Sequence, residues 1–120
     1  VTLKVKYDLK ERSYEFSLSL IKLVDALAND ISTSIIARQL LRAGTSIGAN
    51  IAEAQASPSR KDFAIFLRHS LKSANESIYW LRLLKDAQKS SKDKLEPLID
   101  EATQLSKILG SSLLTIRDNN

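Results

Sequence analysis

The stretch Gln39-Leu-Leu-Arg-Ala-Gly-Thr-Ser-Ile-Gly-Ala-Asn-Ile-Ala-Glu-Ala-Gln-Ala56 places Gly44, Gly48, Ala52 and Ala56 at a spacing of four. Residues four apart lie on one edge of an α-helix, and Ile36, Leu40, Ala43, Ile47 and Ile51 repeat at helical spacing beside that edge. Glycine inside a helix costs about 1 kcal/mol relative to alanine, so two glycines four apart need a compensating reason. The physical one is a second helix backbone running close to the edge, where any larger side chain would clash. The stretch therefore predicts a helix over about Ser34 to Ala56 and a helical bundle with one especially close contact.

Three more segments carry the same periodicity. A first helix is expected from Leu9 to about Asn29, with Phe16, Leu20, Val24, Leu27 and Ile31 as its seam. Asp8 with Glu11 three residues on reads as its capping box, and Ser32-Thr-Ser34 as the turn into the second helix. The third helix begins after Ser57-Pro58-Ser59. Ser59 suits the cap and Asp62 suits the positive end of the helix dipole. Its core stripe reads Phe63, Phe66, Ser70, Ala74, Ser77, Leu81 and Leu84, and the two serines imply close packing with hydroxyls bonded back to their own helix. Gln88 to Lys92 form the last turn. The fourth helix follows with Leu95, Leu98, Ala102, Leu105, Leu109, Ser112 and Ile116 on its inner face and Pro97 near its start. Four helices with short links predict an all-α, antiparallel up-down-up-down four-helix bundle over residues 9–117. Residues 1–8 alternate apolar and polar, which predicts an extended arm, either frayed or laid on a neighbouring subunit. Residues 118–120 are a C-terminal tail.

Bulk properties set limits. The 120 residues fit one domain with a real core. No apolar run approaches the roughly 20 residues that span a bilayer, so no membrane role is expected, and no leader-like segment is visible. Zero cysteine excludes disulfide and thiol chemistry and fits a reducing cytoplasm. The net charge of +4 with a pI near 9.4 permits an anionic partner without requiring one.

Catalytic and metal-binding patterns are missing. A di-metal bundle needs Glu-x-x-His pairs, but the single histidine, His69, follows Phe66 at that spacing. There is no Gly-x-Ser-x-Gly elbow, and Gly44-x-x-x-Gly48 lacks the Lys-Ser/Thr of a phosphate loop. No enzyme activity, metal or cofactor is expected. Arg42, Ser46, Asn50 and Glu53 share one face of the second helix, and Glu76 of the third could meet it. These five read as a structural network of hydrogen bonds or ion pairs, within the bundle or between subunits. The alternatives are a polar pocket for a ligand or an RNA group, and an active site.

Charge concentrates on the third helix. Arg60 to Lys89 holds seven basic residues against three acidic ones. At about 100° per residue, Lys61, Arg68, Lys72, Asn75 and Tyr79 fall in one sector opposite the core stripe, while Arg82, Lys85 and Lys89 make a second run a quarter turn away. Basic residues with an aromatic neighbour on an exposed face can follow a phosphate backbone. The plainer reading is a solvated helix face. Ile65, Trp80 and Leu83 sit off the core stripe and are candidates for a subunit interface.

The run Gln39 to Glu53, with its Arg42-Ala43-Gly44, Ser46-Ile47 and Asn50-Ile51-Ala52-Glu53 elements, resembles the signature of the 23S rRNA intervening-sequence proteins. So does the continuation Ser59-Arg-Lys-Asp62-Phe63, Phe66-Leu67, Ser70, Ser73, Glu76 and Tyr79-Trp80-Leu81. The resemblance covers about residues 9–117, with two departures: Ala54 stands where the family has glycine, and the link Gln55 to Arg60 is altered. It implies an antiparallel bundle assembled as a homopentameric ring. A related branch, the accessory variability determinant of diversity-generating retroelements, implies a reverse transcriptase and nucleic acid as partners. The expected function is a non-enzymatic scaffold that binds RNA or DNA through Lys61, Arg68, Lys72, Arg82, Lys85 and Lys89. The alternative is a purely structural oligomer or protein-interaction module.

Overall fold

A computed structural model describes the backbone of residues 2–118 and the side chains of residues 9–117. It contains α1 (Thr2–Asp25), α2 (Ile31–Gln55), α3 (Arg60–Asp86) and α4 (Lys92–Asp118), with no strand among the described residues. α1 packs on α2, α2 on α3, α3 on α4, and α4 closes back on α1, while the two diagonal pairs stay apart. Links of only four or five residues turn the chain back each time. Between α3 and α4, Lys85 meets Glu96 and Asn75 meets Ser106, so the two numberings run in opposite directions, as antiparallel helices require. The bundle measures 48 × 21 × 20 Å, and its helices of 24–27 residues account for about 40 Å of that length at 1.5 Å per residue.

The small-residue edge of α2 does what its spacing predicts, over half its length. Gly44 and Gly48 lie against α1. A Cβ on Gly44 would run into Leu20, a side chain with no exposure, and one on Gly48 would come within 3.2 Å of Ser13 Oγ and 3.5 Å of the Ser13 carbonyl carbon. Ala52 and Ala56, two turns on, are exposed. On the other side of α2 the approach to α3 is also close. Ser70 Oγ donates across the interface to the Ile47 carbonyl at 2.8 Å, whereas Ser77 bonds back to Ser73 within α3. Only the second serine follows the expected pattern, because only at Ser70 is a neighbouring backbone oxygen near enough to compete.

The core is continuous along the bundle: Phe16, Leu20 and Leu23 from α1, Leu40, Ile47 and Ile51 from α2, Leu67, Leu81 and Leu84 from α3, and Leu95, Leu105 and Leu109 from α4. Helix boundaries depart from expectation in three places. α1 begins at Thr2, so residues 2–8 are helical and not an extended arm, and Asp8 lies inside the helix, where it cannot cap it. α1 then stops at Asp25, four residues early. α2 starts at Ile31, capped by Asp30, whose carboxylate accepts from the Thr33 backbone N–H. Ile31 is therefore a first-turn residue, 82% exposed, and not part of the α1 seam. Residue 1 and residues 119–120 of the expected tail lie outside the described residues; Asp118 still belongs to α4.

The α3–α4 turn is built on Gln88, a non-glycine residue at φ 57°. The Lys89 N–H bonds back to the Leu84 carbonyl at 2.8 Å and the Gln88 N–H to the Lys85 carbonyl at 3.0 Å, which satisfies two of the terminal carbonyls of α3. This turn aims Lys89 at Asp30, and Nζ donates to Oδ2 at 3.1 Å. The α1–α2 and α3–α4 links are thus joined at one end of the bundle. Hydrogen bonds from Thr33, and then from Lys89, hold the Asp30 carboxyl well below the ordinary aspartate range.

Candidate nucleic-acid interface

α3 owes its outward face to its inward one. Ser70, Ala74, Ser77, Leu81 and Leu84 are buried against α2 and α4, which turns the opposite sector to solvent. Lys61, Arg68, Lys72 and Tyr79 occupy that sector, with Asn75 and Arg82 at its α4-facing edge, and all six are exposed. Lys61, Arg68, Lys72 and Arg82 form no ion pair with any described residue. Successive cations of this row stand about 6–15 Å apart along the axis, at 1.5 Å per residue. This is a row of solvated cations without built-in counter-charges.

Two of the six expected phosphate contacts are engaged elsewhere. Lys85 is half-buried and lies 3.9 Å from Glu96 of α4. Lys89 is past the end of α3 and bonds Asp30. The helical repeat put both in a second run a quarter turn from the exposed sector, beyond the helix end for Lys89, and it carried no information about the acidic residues that the next helix and the opposite link bring to meet them.

The polar set on α2 and α3 does not assemble into one network. Arg42 donates to Gln39, Ser46 to the Arg42 carbonyl, and Asn50 to the Ser46 carbonyl, all within α2. Glu53 is exposed. Glu76 accepts from the Trp80 indole N–H at 2.9 Å within α3. Each hydrogen bond is local, and nothing converges on a reacting position. Among the described residues no cluster of three potential metal ligands occurs, and no helix is long and apolar enough to cross a membrane.

Ile65, Trp80 and Leu83 are all partly exposed, as their position off the core stripe requires. Trp80 is half-buried and packs against the core; Ile65 and Leu83 are half-buried but outside the core cluster. A second set of exposed apolar side chains lies on α1: Tyr14, Leu18 and Ile21, one line on the side away from the core. Ile31 and Ile35 add two exposed apolar residues at the start of α2; the inward stripe of α1 is the stronger periodic signal and masks the outer line in the sequence. The signal was the i, i+4, i+7 spacing of Tyr14, Leu18 and Ile21 itself.

A bidentate pair, Arg12 Nε and Nη2 to the Glu101 carboxylate at 3.0 and 2.8 Å, crosses the α1–α4 seam. Both side chains are about one-third exposed.

Comparison with known proteins agrees with this architecture. The family model described as 23S rRNA-intervening sequence protein matches residues 6–111. No curated protein matches the sequence. Among solved structures, the chain is similar to a Bacteroides thetaiotaomicron protein of unknown function from the S23 ribosomal protein family, solved at 1.70 Å. The two share 37% identity and a TM-score of 0.84, over 91% of this chain and 97% of that one. With the bundle, the signature-bearing α2 and α3 and the family match all in agreement, the chain belongs to the 23S rRNA-intervening sequence protein family.

Proposed function

We propose that this protein is a non-enzymatic scaffold that binds RNA or DNA through the outward face of α3. The observation that carries the reading is the row Lys61, Arg68, Lys72 and Arg82, exposed and without an ion-pair partner among the described residues. Desolvating a cation already held by a carboxylate gains little, whereas a solvated cation can release condensed counterions from a phosphate backbone when it docks. Such contacts position a strand without reading its sequence. Lys85 and Lys89 then serve the fold and not the ligand.

One chain of net charge +4 is a weak electrostatic trap. A closed ring of five, which the family resemblance implies, multiplies that charge fivefold and presents several α3 faces to one strand. The apolar line Tyr14, Leu18 and Ile21 on α1 supports self-association, since α1 lies diagonally across the bundle from α3 and its use would leave the basic face open. A reverse transcriptase is the protein partner that the related retroelement branch suggests.

The test compares two charge-removal variants in an RNA-binding titration. Lys61→Ala/Arg68→Ala/Lys72→Ala is expected to lose affinity with its thermal midpoint unchanged. Lys85→Ala/Lys89→Ala is expected to lower the midpoint and leave affinity within a factor of about two. Equal affinity for wild type and the triple variant would refute the assignment. Native mass measurement reads the subunit count.

A further inference from the structure

We infer that Tyr79 is a stacking platform for an unpaired base, so that the strand the α3 face accepts is single-stranded. The inference rests on the reading that this face binds nucleic acid and adds which form of it.

Tyr79 is 58% exposed in the middle of the basic sector. An exposed tyrosine on a helix ordinarily keeps its rotamer freedom; this one is braced. Its ring meets that of Trp80 edge to face, with centroids 5.0 Å apart and planes at 76°. Trp80 is itself fixed, packed on the core and donating its indole N–H to Glu76 at 2.9 Å. The ring of Tyr79 is therefore presented to solvent at little further cost in conformational entropy. Its surroundings suit a nucleotide. Lys72 stands two turns before it and Arg82 three residues after, both exposed and outside any ion pair among the described residues. One turn before it, Asn75 Oδ1 accepts from Ser106 Oγ of α4 at 2.7 Å, which fixes the carboxamide and leaves its N–H donors for the ligand.

A base stacked inside a duplex has both faces covered by its neighbours and cannot lie on a side chain. An unpaired base can, and any base will do, because each has a π face. Cations on both sides of a single aromatic plate are the arrangement that follows a strand while tolerating its sequence. A duplex would use the cations alone.

Fluorescence anisotropy with a labelled single strand of about 16 nucleotides and a hairpin duplex of equal phosphate number tests this at one salt concentration. Wild type is expected to favour the single strand. Tyr79→Leu, which keeps bulk and removes the plate, should weaken single-strand binding about tenfold or more and leave duplex binding unchanged. Tyr79→Phe should retain wild-type behaviour. Trp80, the one tryptophan in the chain, gives an independent readout: its fluorescence should change on adding single strand but not duplex. Equal weakening of both ligands by Tyr79→Leu, or none, overturns the platform. If both ligands bind and only the Lys61, Arg68 and Lys72 variants weaken them, the platform fails while the basic face stands. If neither binds in a salt-dependent way, both readings fall together.

Discussion

Replacing Gly44 with alanine should destabilise the protein although alanine is the better helix former. The methyl group contributes about 1 kcal/mol in helix propensity. It also runs into Leu20, and because Leu20 is completely buried, the displaced atoms cannot swing out into solvent. Overpacking of this kind costs about 1–3 kcal/mol, so the net loss is about 1 kcal/mol. At Gly48 the new Cβ stands 3.2 Å from Ser13 Oγ, a conflict that a few tenths of an ångström relieve, and gain and loss nearly cancel. A Cβ on Gly110 would meet nothing within 4 Å beyond its own stretch of helix, so alanine there should stabilise by about 1 kcal/mol. Three chemically identical substitutions are thus spread over about 2 kcal/mol, read by urea melts followed by far-ultraviolet circular dichroism at one protein concentration. A double-mutant cycle isolates the cause. Leu20→Ala alone should cost about 2–5 kcal/mol, and in that background Gly44→Ala should become neutral or favourable as its methyl enters the vacated space. If Gly44→Ala stabilises as much as Gly110→Ala, or costs the same with and without Leu20, close helix approach is not the reason for the glycine.

Gln88→Gly should stabilise by about 1 kcal/mol, because the left-handed conformation that closes α3 carries a steric penalty for any residue with a Cβ; an unchanged melt would show that this conformation is not populated in solution. Asp30 should contribute stability above the ordinary aspartate value of 3.8 and lose it as pH falls below that value toward its lowered folded-state pKa. The midpoint gap between wild type and Asp30→Ala should accordingly narrow in acid, and a gap independent of pH would contradict the carboxylate's bonds to Thr33 and Lys89. Ser59→Ala should cost about 1 kcal/mol by removing the acceptor for the Asp62 N–H, measurable in the same urea melts. Arg12→Ala, by contrast, should cost no more than about 1 kcal/mol despite its two short bonds to Glu101, because the pair is partly solvated.

The parts of this molecule legible in its sequence are those governed by periodicity. Leu40, Ala43, Ile47 and Ile51 of α2 and Leu95, Ala102, Leu105 and Leu109 of α4 are buried as their spacing requires, and the Ser59 cap with Asp62 is where the local pattern placed it. Local signals failed where two solutions competed. Ser32, Thr33 and Ser34 all look like caps, yet Asp30 takes the role because its carboxylate accepts from both the N–H and the hydroxyl of Thr33. The alternation over residues 1–8 reads as a strand, but no partner strand exists among the described residues, and helix continues through it to Thr2. At the candidate interface, helical angles put Lys61, Arg68, Lys72 and Tyr79 on one side correctly. They could not show that Glu96 and Asp30 would claim Lys85 and Lys89, since those encounters depend on how α4 and the α1–α2 link are placed. The second apolar line on α1 was also written in the sequence, masked there by the stronger inward stripe.

The slope of binding affinity against salt concentration tests the basic face most directly. Each phosphate neutralised on a single strand contributes about −0.7 to the slope of log K against log salt. Wild type should show a steep negative slope, and Lys61→Ala/Arg68→Ala/Lys72→Ala should flatten it by about 2 for each chain engaged. A triple variant with the wild-type slope, or a wild type whose RNA binding ignores salt, would contradict the account.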